Sequence, residues 1–202
     1  RQVLARAVDT IRGNLARQVS RGKIAEGEAE AAVARIATTT DYARFAACDA
    51  VVEAATENEE IKRAVFQSML PHLRDDALIA SNTSSISITR LAAGTDRPER
   101  FIGLHFMNPV PVMKLVEIIR GIATDQPTFD AFNALADRLD KTVAVAEDFP
   151  AFIVNRILLP MINEAVYTLY EGVGSVQSID TALKFGANHP MGPLELADFI
   201  GL

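Results

Sequence analysis

From residue 47 onward the sequence alternates short, almost wholly apolar runs with stretches whose apolar residues recur every three or four positions. Few folds satisfy both patterns at once. ACDAVVEAA, DALIAS, RFIGLHF, KLVEII and TVAVAE read as strands too apolar to face water on either side. Between them, ENEEIKRAVFQSMLPHL spaces Ile61, Val65, Phe66, Met69, Leu70 and Leu73 at helical intervals, SISITRLAAG reads as a short helix ending at Gly94, and QPTFDAFNALADRLD reads as a longer one. Strands that alternate with helices imply an α/β sheet covered on both faces. The third and fourth strands follow one another with no helix between them, so the sheet is expected to lose its purely parallel character there.

After Asp148–Pro150 the pattern becomes helical throughout. FIVNRILLPMINEAVYTLYEG reads as a long helix interrupted at Pro160. SIDTALKFG follows, with Ser178 able to cap it and Gly186 to end it, and LELADFIGL begins a third helix after the turn NHPMGP. We therefore expect a nucleotide-binding type of domain over 1–148 and the start of a helical domain over 149–202. Both ends read as cut. A doubly wound nucleotide-binding sheet normally opens with strand, glycine-rich turn and helix, whereas this sequence opens on an amphipathic helical pattern. The GVG at 172–174 is no substitute, because it lacks a third glycine at Gln177 and follows a helix instead of a strand.

Charge and cysteine content narrow the function. A net charge of −6 argues against a general nucleic-acid binder, yet residues 1–23 carry Arg1, Arg6, Arg12, Arg17, Arg21 and Lys23 against Asp9 alone. That segment is either a solvated basic helix face or a patch for a small phosphorylated ligand. The single Cys48 rules out an internal disulfide and a cysteine-based metal site, which fits a reducing compartment. No apolar run approaches membrane-spanning length, so a soluble cytoplasmic protein is expected.

The chemistry concentrates in a few polar groups set in apolar surroundings. His105 closes the predicted third strand, and Glu117 stands among Leu115, Val116, Ile118 and Ile119, where an unpaired carboxylate is costly. If those strands are neighbours, Glu117 can fix the tautomer of the imidazole and leave its other nitrogen as a general base. The alternative is a loop histidine beside a surface glutamate. SNTSSIS follows another strand end and holds more hydroxyls than the one cap that Ser87 can supply. Asn155 is an amide inside an apolar helix, which needs a buried partner or a ligand. Glu57 and Lys62 bracket a helix start and read most simply as exposed charges with a weak local pair.

SNTSSISIT, GLHFMNPVPVMKLVEIIRG, FIVNRILLPMINEA and GANHPMGPLELADFIGL, in this order, resemble the bacterial 3-hydroxyacyl-CoA dehydrogenase family, most of all its 3-hydroxybutyryl-CoA dehydrogenases. The resemblance runs over nearly the whole sequence. It implies a Rossmann-like α/β sheet, lacking its first strand, turn and helix here, followed by an incomplete all-helical domain. It also implies catalytic roles for His105 as base, Glu117 as its holder, Ser84 as a contact to the substrate oxygen, and Asn155 as a group that orients the thioester. Nicotinamide cofactor contacts fall on Glu57, Lys62, Ser84 and Asn108, and CoA contacts on Arg21, Lys23 and Ser84. NAD is the cofactor implied, with NADP left open, because the residue that decides between them does not fall in this sequence. An acyl-CoA substrate, no metal, no nucleic acid or membrane partner, a homodimer and a bacterial cytoplasmic location complete the expectation. The alternatives are a related dehydrogenase of free hydroxy acids and a non-catalytic CoA or nucleotide binder. One departure bears on geometry: Ala151 stands where the family usually has glycine, which is expected to tighten the bend before Asn155.

Overall fold

The computed structural model describes residues 2–202, which fall into two compact units, one of residues 2–48 and 68–75 and the other of residues 49–67 and 76–202. In the first unit, α1 (Gln2–Ser20) packs on α2 (Glu26–Ala34). The turn between them needs Gly22, whose φ of +65° lets the N–H groups of Gly22 and Lys23 bond back to Val19 O and Gln18 O. Arg21 and Lys23 flank that glycine, both exposed, just past the carboxyl end of α1. Neither helix has a buried residue among those described. The α2 segment and the 3-10 turn Tyr42–Ala47 had no counterpart in the sequence reading, because EGEAEAAVA is rich in alanine and carries no apolar stripe of helical period.

The second unit is built on a five-stranded sheet in the order β1 (Ala50–Glu53), β2 (Leu78–Ser81), β3 (Phe101–Phe106), β4 (Leu115–Arg120) and β5 (Thr142–Glu147). The pairs β1–β2, β2–β3 and β4–β5 are parallel. β3 and β4 are antiparallel, as their direct succession predicts. This is the Rossmann-like α/β sheet expected, with α3 (Glu59–Met69), α4 (Ile88–Ala92) and α5 (Gln126–Arg138) as its helices. Its core gathers Ala80, Ile102, Leu104, Val116, Ile118, Phe132 and Ala136, all at most 1% exposed. Gly103 is required where β3 meets α4: a Cβ there would lie 2.8 Å from both Ile119 and Ile88.

The helical segment follows as α6 (Val154–Tyr170), α7 (Val176–Gly186) and α8 (Pro193–Ile200). Two details differ from the sequence reading. Pro160 is exposed and does not interrupt α6, which runs through it and forgoes one backbone hydrogen bond. The cap of α7 is Ser175, whose hydroxyl accepts from Ser178 N at 3.2 Å, so Ser178 is the capped residue and not the cap. GVG 172–174 lies in the turn between α6 and α7, consistent with its rejection as a phosphate loop. α8 is capped from a distance by Asp180, which accepts from Leu194 N and Glu195 N.

Candidate active site

Sheet register places the first pair. His105 and Glu117 are direct partners across the antiparallel β3–β4 pair, and Nδ1 of the imidazole lies 2.8 Å from Glu117 Oε2. The other carboxylate oxygen accepts from Ile153 N at 3.0 Å and Val154 N at 2.9 Å, at the start of α6. Glu117 is thus fully buried with both oxygens used, and the cost of a lone carboxylate in an apolar strand is offset by three donors. The loop histidine and surface glutamate of the alternative reading do not form. The Phe152 ring meets the imidazole edge-on at 5.8 Å between centroids. Nε2 of His105 has no partner among the described residues. The only fully buried side-chain polar atom left unpaired among them is Thr128 Oγ1, so Nε2 keeps some access to solvent although His105 as a whole is only 5% exposed.

The second cluster stands beyond the carboxyl ends of the parallel strands. Glu57 Oε1 collects Thr83 Oγ1 at 2.6 Å, Ser84 N and Ser85 N at 2.9 Å each, and Ser85 Oγ at 3.0 Å. Partial burial pushes the Glu57 carboxyl up, but the hydrogen bonds from Thr83, Ser85 and Ser84, together with the Lys62 charge, hold it below the ordinary carboxylate range. Ser84 is left half-buried, and its hydroxyl makes no hydrogen bond among the described residues. Asn155, one residue past the N–H that holds Glu117, turns its amide toward Ser84 O at 3.4 Å. One chain of contacts therefore links His105, Glu117, the start of α6, Asn155, Ser84 and Glu57.

The remaining expectations fare differently. The exposed Glu57–Lys62 pair is not what forms: Lys62 is 1% exposed, its ammonium bonds both oxygens of Glu53, and it stays 3.9 Å from Glu57 Oε2. Asn108 is exposed in the loop after β3. Arg21 and Lys23 belong to the other unit. Three residues that matter locally had no sequence signal of their own. Glu53 looks like an ordinary polar end to a strand, while Asn82 uses its side-chain oxygen to hold Phe106 N at 2.9 Å and so joins the ends of β2 and β3. Asp148 holds Ser87 Oγ at 2.7 Å, Ile88 N at 2.9 Å and Thr89 N at 2.8 Å at the start of α4. In addition, Ser87 performs the capping expected of it by accepting from Arg90 N.

These residues suit the hydroxyl and amide groups of a dinucleotide cofactor. Glu57 Oε2 is an anionic acceptor with no hydrogen-bond donor of its own within the described residues, Asn108 offers an exposed amide, and both stand at the strand ends where open α/β sheets bind ligands. No cluster of metal-ligating side chains occurs among the described residues.

A Rossmann-like sheet with a buried imidazole–carboxylate pair across its antiparallel strands suits a nicotinamide-dependent dehydrogenase. The sequence comparisons narrow the class: residues 1–149 match the 3-hydroxyacyl-CoA dehydrogenase NAD binding domain, and residues 152–202 match the C-terminal domain of the same family. The chain belongs to the 3-hydroxyacyl-CoA dehydrogenase family. It is 64% identical to a 3-hydroxybutyryl-CoA dehydrogenase of Bradyrhizobium diazoefficiens over 96% of its own length and 66% of that protein's. It is 43% identical to the human mitochondrial hydroxyacyl-coenzyme A dehydrogenase, over 99% of this chain and 66% of the human one. Its backbone superposes on the (S)-3-hydroxybutyryl-CoA dehydrogenase of Ralstonia eutropha with a TM-score of 0.95 at 48% identity, covering 97% of this chain and 69% of that one. The chain thus spans about two thirds of the length of these relatives.

Proposed function

We propose that the protein interconverts (S)-3-hydroxyacyl-CoA, with 3-hydroxybutyryl-CoA as the short-chain substrate, and the corresponding 3-ketoacyl-CoA. The observation that carries this reading is the buried His105–Glu117 pair, 2.8 Å apart, with the far imidazole nitrogen open. Glu117 accepts the Nδ1 proton and fixes the neutral tautomer in which Nε2 is basic. Nε2 takes the proton of the 3-hydroxyl as the C3–O bond becomes a carbonyl, and the imidazolium that results is stabilised by the carboxylate beside it. The nicotinamide of NAD, when bound, supplies the acceptor for the hydride that leaves C3. The unpaired Ser84 hydroxyl serves the substrate oxygen, and the Asn155 amide aligns the thioester with His105. Glu57 and Asn108 receive the nicotinamide–ribose half of the cofactor, and Arg21 and Lys23 offer charge to the CoA phosphates.

Under this reading residues 1–148 form the cofactor domain and 149–202 the helical one. The exposed Tyr170, Phe185 and Phe199 of the helical segment suit a homodimer. No helix among the described residues is long and apolar enough to cross a membrane.

The test is oxidation of NADH by the intact protein in the presence of acetoacetyl-CoA. Turnover that falls about 10²- to 10⁴-fold in His105→Ala is expected of a positioned general base. Near-normal turnover in that variant would remove His105 from the mechanism. Turnover with a free 3-oxo acid but not with its CoA ester would redirect the reading to a hydroxy-acid dehydrogenase. Tight cofactor binding without any turnover would point to a binding protein.

A further inference from the structure

The loop that joins β3 to β4 carries Asn108 and has no core of its own. Residues 108–114 are all exposed, the apolar Val110, Val112 and Met113 among them. Val112 N and Met113 N both bond back to Pro109 O, at 2.9 and 3.0 Å, which closes a single helical turn. One such turn fixes more backbone freedom than its hydrogen bonds return, so it does not persist unaided in water. Its hold comes from the neighbouring strand. Lys141, the residue before β5, donates from Nζ to Val110 O at 2.6 Å and to Met113 O at 2.7 Å. Beside it, Thr142 N bonds Lys114 O at 2.8 Å, and Lys114 pairs with Asp140. Lys114 and Asp140 are both largely exposed, which makes their pair a weak tie, whereas Lys141 is half-buried and bridges the middle and the end of the turn. An ammonium suits that place, because its donors rotate to meet two carbonyls at once and it complements the carbonyl end of a helical turn.

We infer that Lys141 is a positioning residue for cofactor binding: by bonding Val110 O and Met113 O it keeps the 109–113 turn in shape, and so keeps Asn108, at the head of that turn, presented to the bound cofactor. The inference rests on the reading of Asn108 as a cofactor contact given above. It goes beyond that reading by saying what fixes an amide that no buried side chain anchors. His105 and Glu117, at either side of the same loop, do not depend on Lys141, since the β3–β4 register and the start of α6 hold them. Loss of the Lys141 ammonium should therefore loosen the loop and weaken cofactor binding while the base keeps its tautomer.

The experiment is a double-mutant cycle read by calorimetric titration of NADH into the intact protein: wild type, Lys141→Met, Asn108→Ala and the two together, with steady-state kinetics and amide hydrogen exchange of each. Lys141→Met should weaken NADH binding about three- to tenfold, less than a buried bond to a charged group is worth, because the freed carbonyls regain water. KM for NADH should rise in step, and the pH dependence of kcat should stay that of wild type. Exchange at Val112 N and Met113 N should quicken about tenfold or more while that at Ile118 N is unchanged. In the Asn108→Ala background, removing Lys141 should change NADH affinity less than about twofold, since the group it positions is already gone. Full additivity of the two losses overturns the inference, because Lys141 would then act on binding by a route other than Asn108. Weaker binding in Asn108→Ala with unchanged binding in Lys141→Met refutes the inference alone and leaves the reading of Asn108 intact. Unchanged binding in Asn108→Ala refutes that reading, and the inference falls with it. Should Lys141→Met fail to fold, Lys141→Gln, neutral and one bond shorter, takes its place in the cycle with the same outcomes.

Discussion

Glu117 and Glu57 each gather backbone N–H groups and side-chain donors, yet one is sealed and the other is open. Glu117 sits in the middle of β4, fully buried, facing His105 across an antiparallel pair and the start of α6 beyond it. Glu57 stands past the end of β1 with 40% of its side chain exposed, one oxygen tied down and the other not. The difference comes from strand direction. Antiparallel pairing sets two residues directly opposite and lets the sheet itself fix a side-chain pair. Parallel strands instead end together, and their shared edge leaves room for loops and a ligand. The sealed carboxylate is built to hold a base in one tautomer, and the open one is built to keep a loop in place while it meets a ligand. Damage to the first should appear in the chemical step, and damage to the second in binding and acid stability.

The largest effect expected is therefore Glu117→Gln. The new amide can still accept from Ile153 N and Val154 N, but it must donate to Nδ1 of His105, which moves the ring proton to Nε2 and abolishes the base. We expect kcat to fall about 10²- to 10⁴-fold, the contribution of general-base catalysis, while the melting temperature changes little. A kcat within a few-fold of wild type would mean that Glu117 does not set the tautomer, and the contrast with Glu57 would lose its chemical half.

Next is Gly103→Ala, two residues before His105 on the same strand. Its Cβ would approach Ile119 and Ile88 to 2.8 Å, closer than packed atoms tolerate. Overpacking of this kind costs about 1–3 kcal/mol, read as a lower melting temperature. The same substitution at the exposed Gly27, whose Cβ meets nothing within 4 Å, is the control. Equal behaviour of the two variants would show that the sealed side is less tightly packed than its burial implies.

How much of this could be read from the sequence divides along the same line. The His105–Glu117 pair was legible because strand succession without a helix implies antiparallel neighbours, and a carboxylate among Leu115, Val116, Ile118 and Ile119 demands a partner. The Glu57 side was not. Nothing in ENEEIK says that the ammonium of Lys62, the sixth residue of the run, will turn inward to Glu53, because that choice depends on how α3 packs beside the end of β1. Asn82 and Asp148 are invisible for a similar reason, since each bonds backbone N–H groups far along the chain. Pro160 misled because propensity describes an isolated helix, and an exposed proline in a packed helix can be carried at the loss of one bond.

Acid titration sharpens the open side of the comparison. Glu57 and Asp148 are both partly buried, which pushes their carboxyls up. Hydrogen bonds from Thr83, Ser85 and Ser84 in one case and from Ser87, Thr89 and Ile88 in the other more than reverse this. A carboxylate with a depressed native pKa adds stability that is complete above its ordinary value, 4.5 for Glu57 and 3.8 for Asp148, and is lost as pH falls through the native value. Stability measured by urea unfolding should hold steady near neutrality and drop below that range. Glu57→Gln and Asp148→Asn should each be less stable than wild type at neutral pH and should each show a shallower acid limb. Acid limbs as steep as that of wild type would show that neither carboxylate carries the depressed titration.

The smallest effect separates the two sides most cleanly. Ala151 and Phe152 both have left-handed backbones, with φ of +65° and +54°, and this turn aims the N–H groups of Ile153 and Val154 at Glu117. An L-residue pays about 1–2 kcal/mol for such a conformation. Phe152 cannot be exchanged without losing a buried ring against His105, but Ala151 can. Glycine at 151 removes the steric cost and gives part of the gain back as greater freedom of the unfolded chain, about 0.4–1 kcal/mol. Ala151→Gly is therefore expected to raise stability by about 1 kcal/mol or less, visible as a small rise in melting temperature. Because the turn serves Glu117 and not Glu57, the acid limb of stability should keep its wild-type shape. A lower melting temperature would show that the cost of ordering glycine outweighs the relief, and a changed acid limb would show that the sealed and open carboxylates respond as one unit.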